Sequence, residues 1–193
     1  GAENVAVGQN ALQANTDANY NTAIGRSALY ANTTGASNTA VGREALGANT
    51  TGTRNLAIGY QAYDASDTEN DNLAIGFQAM TTNTAGGTKN VAVGNYALDA
   101  LTSGDNNTVV GYQAGTSNNT GGNNTALGSE ALRDNTTAGN NVAIGVFSLK
   151  VNTTGASNTA VGKGTLEANT TGAQNTAVGE GALDANTTAN NNT

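Results

Sequence analysis

The sequence predicts an all-β chain: a parallel β-solenoid, or β-roll, of 17-residue coils running as one array through residues 1–193. Three observations predict it. A block seen plainly as Asn38-Thr39-Ala40-Val41-Gly42 returns along the whole chain. Its first residue falls at Asn4, Asn21, Asn38, Asn55, Asn72, Asn90, Asn107, Asn124, Asn141, Asn158 and Asn175, and a twelfth copy begins at Asn192. The spacing is 17 at every step but one, 18 between Asn72 and Asn90, and a fixed period in this range marks stacked repeats. The second observation is local. Positions 2 and 4 of the block are Thr, Val or Leu and then Val, Ile or Leu, while positions 1 and 3 are Asn and Ala, a two-residue alternation that a strand presents on opposite faces. The third is negative: Gly, Asn and Thr clusters recur too often for any 3.6-residue apolar stripe to persist.

Each element of the coil then has a reason. Position 5 is Gly in every copy, from Gly8 to Gly179, as needed where the chain turns with φ > 0 or passes close to another backbone. Positions 8 and 9 read Ala-Leu, as at Ala45-Leu46, and predict a second short strand. Asn49-Thr50-Thr51-Gly52 and its equivalents predict the return turn. Successive coils pair as parallel strands about 4.8 Å apart, so eleven coils make a rod on the order of 50 Å long. The position-4 aliphatics and position-9 leucines are expected to form the dry interior. Ala at position 3 is expected on the opposite face, where it lets a neighbouring chain approach. The column from Asn21 to Asn175 predicts a structural ladder of side-chain amides, each donating to the next coil and accepting from the previous one. Asn also suits turns, so a surface turn role is the competing reading.

Several copies depart from the pattern. Tyr63 and Met80 stand where Leu is usual, Gly115 does so in the seventh copy, Val109 replaces the position-3 Ala, and Thr81–Lys89 holds the extra residue.

Composition narrows the function. Seven basic residues stand singly against fourteen acidic ones, for a net charge of −7, which argues against nucleic acid, whose phosphates need clustered Lys and Arg. There is no Cys to form a disulfide, and no apolar run approaches the length of a membrane span, so no membrane insertion is expected of this segment. The chain begins and ends inside a repeat, so a segment of a longer fibre is expected.

Chemistry is sparse. No His is present to activate a Ser, the carboxylates hold no fixed pairing, and no phosphate loop or cofactor motif occurs. The expectation is a non-enzyme with no catalytic residue and no cofactor. The acidic turn Asp64, Asp67, Glu69, Asp71 is a calcium candidate, but it lacks EF-hand spacing and a solvated turn is the preferred reading. Tyr60, Phe77, Tyr96, Tyr112 and Phe147 recur just after the block. They are candidates for a surface contact, either stacking on sugars or, as preferred, packing at a subunit contact or over the Gly turn.

Asn-Thr-Ala-Val-Gly followed by Ala-Leu resembles the head repeats of trimeric autotransporter adhesins and the repeat arrays of phage tail fibres and related bacterial fibres. The resemblance covers all eleven copies and implies a parallel homotrimer of left-handed β-rolls. It further implies an extracellular place, on a cell surface or virion, and attachment to a host-cell or surface glycan or protein receptor. The repeat here is longer by the Asn-Thr-Thr-Gly turn. The alternative is an ice- or crystal-surface-binding solenoid. That reading needs Thr at i and i+2 on every coil, whereas Thr153-Thr154 and its equivalents are adjacent, and the position-2 column is broken by Val5, Leu56, Leu73, Val91 and Val142 and is expected to point inward.

Overall fold

The computed structural model describes residues 1–83 and 86–193; residues 84 and 85, inside the segment expected to hold the extra residue, lie outside the described residues. Eleven three-residue strands are found among the described residues: β1 (Val5–Val7), β2 (Thr22–Ile24), β3 (Thr39–Val41), β4 (Leu56–Ile58), β5 (Leu73–Ile75), β6 (Val91–Val93), β7 (Thr108–Val110), β8 (Thr125–Leu127), β9 (Val142–Ile144), β10 (Thr159–Val161) and β11 (Thr176–Val178). They form one parallel sheet in chain order. The register puts like on like: Thr39 opposite Leu56, Ala40 opposite Ala57, Val41 opposite Ile58. The 18-residue coil keeps this register, with Leu73 opposite Val91. This is a β-solenoid with one coil per repeat.

The two faces of the strand are the reverse of the expectation. Ala at position 3 points inward and is fully buried, as at Ala40, Ala57 and Ala160. The position-4 aliphatics point outward: Val110 is 38% exposed, Ile144 36% and Ile24 40%. The interior is therefore lined by the Asn and Ala of the strand, by Ala at position 8 and by Leu at position 9. Room rather than hydropathy decides this. The strand and the segment facing it enclose a lumen that takes a methyl group from one wall and a leucine from the other.

The Ala-Leu pair is not a second strand. Positions 7 and 9 have left-handed backbone in every full copy, for example Glu44 at φ 61° and Leu46 at φ 50°. The last residue of the coil is left-handed as well, as at Ser37 (φ 61°), Arg54 (φ 59°) and, in the 18-residue coil, Lys89 (φ 59°). The segment still bonds coil to coil: the Leu46 N–H donates to the Ala62 carbonyl at 3.1 Å, and the Glu44 N–H to that of Arg26 at 2.9 Å. A left-handed residue costs roughly 1–2 kcal/mol, least for residues without β-branching. Positions 7 and 9 and the last position of the coil accordingly contain no Val, Ile or Thr in any full copy.

The position-5 glycine is fixed by both reasons given for it. Gly25 sits at φ 135°, and a Cβ there would lie 2.5 Å from the Gly42 carbonyl oxygen of the next coil. No helix among the described residues is long and apolar enough to cross a membrane.

Candidate functional site

Two asparagine columns run through the interior. In the first, each side-chain oxygen accepts the backbone N–H of the Asn one coil on. Asn38 N donates to Asn21 Oδ1 at 2.9 Å, and the series continues through Asn55, Asn72, Asn90, Asn107, Asn124, Asn141, Asn158 and Asn175. The amide nitrogen turns elsewhere: Asn38 Nδ2 donates to the Gly52 carbonyl at 2.7 Å, within its own coil. The ladder is thus chiefly side chain to backbone. Amide-to-amide bonds occur in places, as from Asn107 to Asn90 at 3.0 Å and from Asn175 to Asn158 at 3.1 Å. The surface-turn reading fails for these residues, which are buried.

The second column comes from position 12, which the sequence suggested was only a turn. Asn49 Nδ2 donates to Asn32 Oδ1 at 2.8 Å, and Asn135, Asn152 and Asn169 continue the pattern. Here the amides bond to each other. The column is interrupted by Ser66 and Leu101. At the first break Tyr63 fills the gap, its buried hydroxyl accepting from the amides of Asn72 and of Asn83, the latter at 3.0 Å. Burial holds that phenol well above the usual tyrosine range.

The acidic turn does not gather into a calcium site. Asp64 is half-buried in a groove of about 440 Å³ with Tyr30, Glu44 and Gly47, and its carboxyl is raised by desolvation and then by Glu44. Asp67 accepts from Thr50. Asp71 faces Arg54 at 2.6 Å, and that partner holds its carboxyl below the usual range. Glu69 is the correction to a solvated turn: it is 3% exposed and accepts the backbone N–H groups of Asp67, Thr68 and Gly86 at 2.9, 3.1 and 3.1 Å. Among the described residues no three acidic side chains meet in a manner that would hold a metal ion.

The aromatic residues do come together. Tyr60 stacks on Phe77 with ring centroids 5.4 Å apart and planes at 21°. Phe77 meets Tyr96 at 5.4 Å and 71°, and Tyr96 meets Tyr112 at 6.3 Å and 81°, both edge to face. Tyr96 belongs to position 7 and the other three to position 6; it completes the row because Asn95 is small, and Asn95 Oδ1 accepts the Phe77 N–H at 2.9 Å. Arg43 closes one end, 5.4 Å from the Tyr60 centroid. Phe147 stands apart, with the Lys150 ammonium 4.3 Å from its centroid.

The outward strand face is the other candidate. Positions 2 and 4 carry no charged residue in any of the eleven strands. A strip three residues wide and about 50 Å long has a footprint on the order of 500 Å², toward the upper end of the apolar patches that monomers leave open. No family model, curated protein or solved structure matches the chain.

Proposed function

We propose that this chain is a structural and adhesive segment of an extracellular fibre, on a cell surface or virion, assembled as a parallel homotrimer through the outward strand face. One observation carries the reading: an uncharged, largely aliphatic stripe along the solenoid, with Ile24, Ile58, Val110, Leu127 and Ile144 partly exposed. Burying such a stripe against itself is favourable by about 25 cal/mol per Å² of apolar surface removed from water, before the cost of association. A second copy supplies a stripe of the same length and the same coil spacing. Three-fold assembly comes from the resemblance of the repeat to trimeric fibre heads. The position-3 alanines no longer support assembly, since they lie inside. Along such a rod, repeated weak contacts with a host-cell or surface glycan or protein receptor gain from effective concentration.

Sedimentation velocity on the chain and on the Val110→Asp/Ile144→Asp double variant tests assembly. The expected result is a trimer for the parent and a folded, smaller species for the variant. A stable parent monomer at micromolar concentration would overturn the proposal.

Ice or crystal binding gains one point from the structure: the position-2 threonines, such as Thr22, Thr39 and Thr159, face outward, not inward. The i and i+2 Thr pair remains absent, because position 4 is aliphatic throughout. Thermal hysteresis by the purified chain would favour that reading.

A further inference from the structure

Coils four to seven differ from the rest of the array in their interior and turns, and also in the two residues that follow the position-5 glycine. Positions 6 and 7 of these four coils consist only of aromatic and amide residues. The aromatics are Tyr60, Phe77, Tyr96 and Tyr112, and the amides are Gln61, Gln78, Asn95 and Gln113. Ionic groups mark both limits. Arg43 and Glu44 pair at 3.0 Å on the coil before, and Glu130 pairs with Arg133 at 2.8 Å and Lys150 at 3.1 Å just after. Half of the eight aromatic residues in the chain stand in this one row.

We infer that this patch is a discrete binding platform for a neutral, linear glycan lying along the solenoid axis. The inference rests on the adhesive reading above and gives it a ligand class. Three properties point to a neutral polyhydroxyl ligand. The platform has no charge within it, so it offers nothing to an anionic or cationic polymer. It combines apolar rings with amides and phenols, which match the two aspects of a sugar ring: a C–H face and a rim of hydroxyls. Tyr96 and Tyr112 meet edge to face rather than in a parallel stack, and Phe77 and Tyr112 are 39% and 50% exposed.

Gln61 and Gln78 are held in place by a ladder of their own, and Asn95 by the Phe77 N–H. Gln78 Nε2 donates to Gln61 Oε1 at 2.9 Å, and Gln61 Nε2 to Glu44 Oε2 at 3.0 Å. This chain orders side chains that would otherwise lose entropy on binding. The coil rise of about 4.8 Å is close to the advance per ring of an extended hexose chain. Four coils therefore span a short oligosaccharide with one sugar per coil. A second copy of the chain is the rival occupant.

The test is calorimetric titration of the chain, its assembly state measured in parallel by sedimentation, with cellohexaose, chitohexaose and xylohexaose, and with a heparin hexasaccharide as the anionic control. At least one neutral hexaose should bind. Tyr112→Ala and Phe77→Ala should each weaken it at least tenfold, and Phe147→Ala should leave it unchanged. Preference for heparin, no neutral binding at millimolar ligand, or equal affinity in the row variants would overturn the platform. So would protection of Tyr112 from nitration in the assembled state, which would assign the row to a subunit contact. A trimer that binds no glycan sinks this inference alone, and a monomer that binds one sinks only the assembly.

Discussion

Val109 occupies the room that Gly115 leaves. Val109 is the one non-alanine at position 3, and Gly115 is the one glycine at position 9. A Cβ on Gly115 would lie 3.2 Å from Leu98 Cδ2 and 3.5 and 3.6 Å from the two methyl carbons of Val109. The larger residue on the strand and the smaller one opposite conserve the volume of the lumen.

The first prediction is a double-mutant cycle on this pair. Val109→Ala alone leaves a void, and Gly115→Leu alone overpacks, each costing on the order of 1–3 kcal/mol. The double variant restores the regular repeat and should recover most of the combined loss. Chemical denaturation of all four proteins measures the coupling. Additive losses would show that the two walls do not share a cavity.

A second prediction uses the backbone at position 9. Leu46 and its column hold φ near 50°, where β-branched side chains are strained. Leu46→Ile should cost roughly 1–2 kcal/mol more than Leu46→Met, although both replacements are apolar and of similar size. Thermal melts of the two variants decide it, and equal melting temperatures would count against backbone strain as the selecting force.

The period, the strand, its parallel pairing and the buried Asn column were legible because they depend on identity at fixed spacing. The faces were not. Hydropathy ranks Val41 and Ile58 as more interior than Ala40 and Ala57, but the lumen is too narrow for them, and only the Val109–Gly115 exchange hinted at that limit. Asn49-Thr50-Thr51-Gly52 reads as a turn, and it does turn, which hid the second amide column at Asn32, Asn49 and Asn152. The left-handed positions left a signal that went unused: Leu but never Val or Ile at position 9, and no β-branched residue at position 7 or at the last position of the coil. Among the aromatics, Tyr96 lies one position off the column of Tyr60, Phe77 and Tyr112, so spacing alone did not show a continuous row.

The third prediction separates the two amide columns. Asn38→Leu removes the acceptor for the Asn55 N–H, leaving that buried backbone donor unpaired at about 1–3 kcal/mol, and removes one donor to the Gly52 carbonyl, which keeps Asn49 Nδ2 at 3.2 Å. Asn32→Leu removes the acceptor for Asn49 Nδ2, which keeps the Gly52 carbonyl, and one donor to the Gly35 carbonyl, which keeps Asn21 Nδ2, and the same column already contains Leu101. The first substitution should lower the denaturation midpoint more than the second. The reverse order would show that amide-to-amide bonding, not support of the next coil, holds the stack.

The fourth concerns pH. Lys150 first, and then Arg133, hold the Glu130 carboxyl below the ordinary glutamate range. A lowered folded value means that the stabilisation is fully present above the ordinary range and is lost as pH falls through the lowered value. Glu130→Gln should therefore cost up to about 1 kcal/mol at neutral pH and converge with the parent in acid. A gap that stays constant with pH would place its origin in packing rather than charge.

The last prediction contrasts two carboxylates of the same turn. Asp71 pairs with Arg54 on the surface, where such a pair contributes little, and Asp71→Asn should be nearly silent. Glu69 is buried and takes the N–H groups of Asp67, Thr68 and Gly86 as well as the Ser66 hydroxyl at 3.3 Å. Those donors converge on one side chain because Ser66, smaller than the usual Asn, leaves the turn without its amide. Glu69→Ala strands them and should cost on the order of 2–4 kcal/mol, since each unpaired buried donor is worth about 1–3 kcal/mol and water recovers part of the loss. Glu69→Gln keeps an acceptor and should fall between. Amide hydrogen exchange at Asp67 and Thr68 gives the local readout, with faster exchange in Glu69→Ala than in Asp71→Asn; equal exchange in the two variants would mean that the carboxylate does not hold the turn.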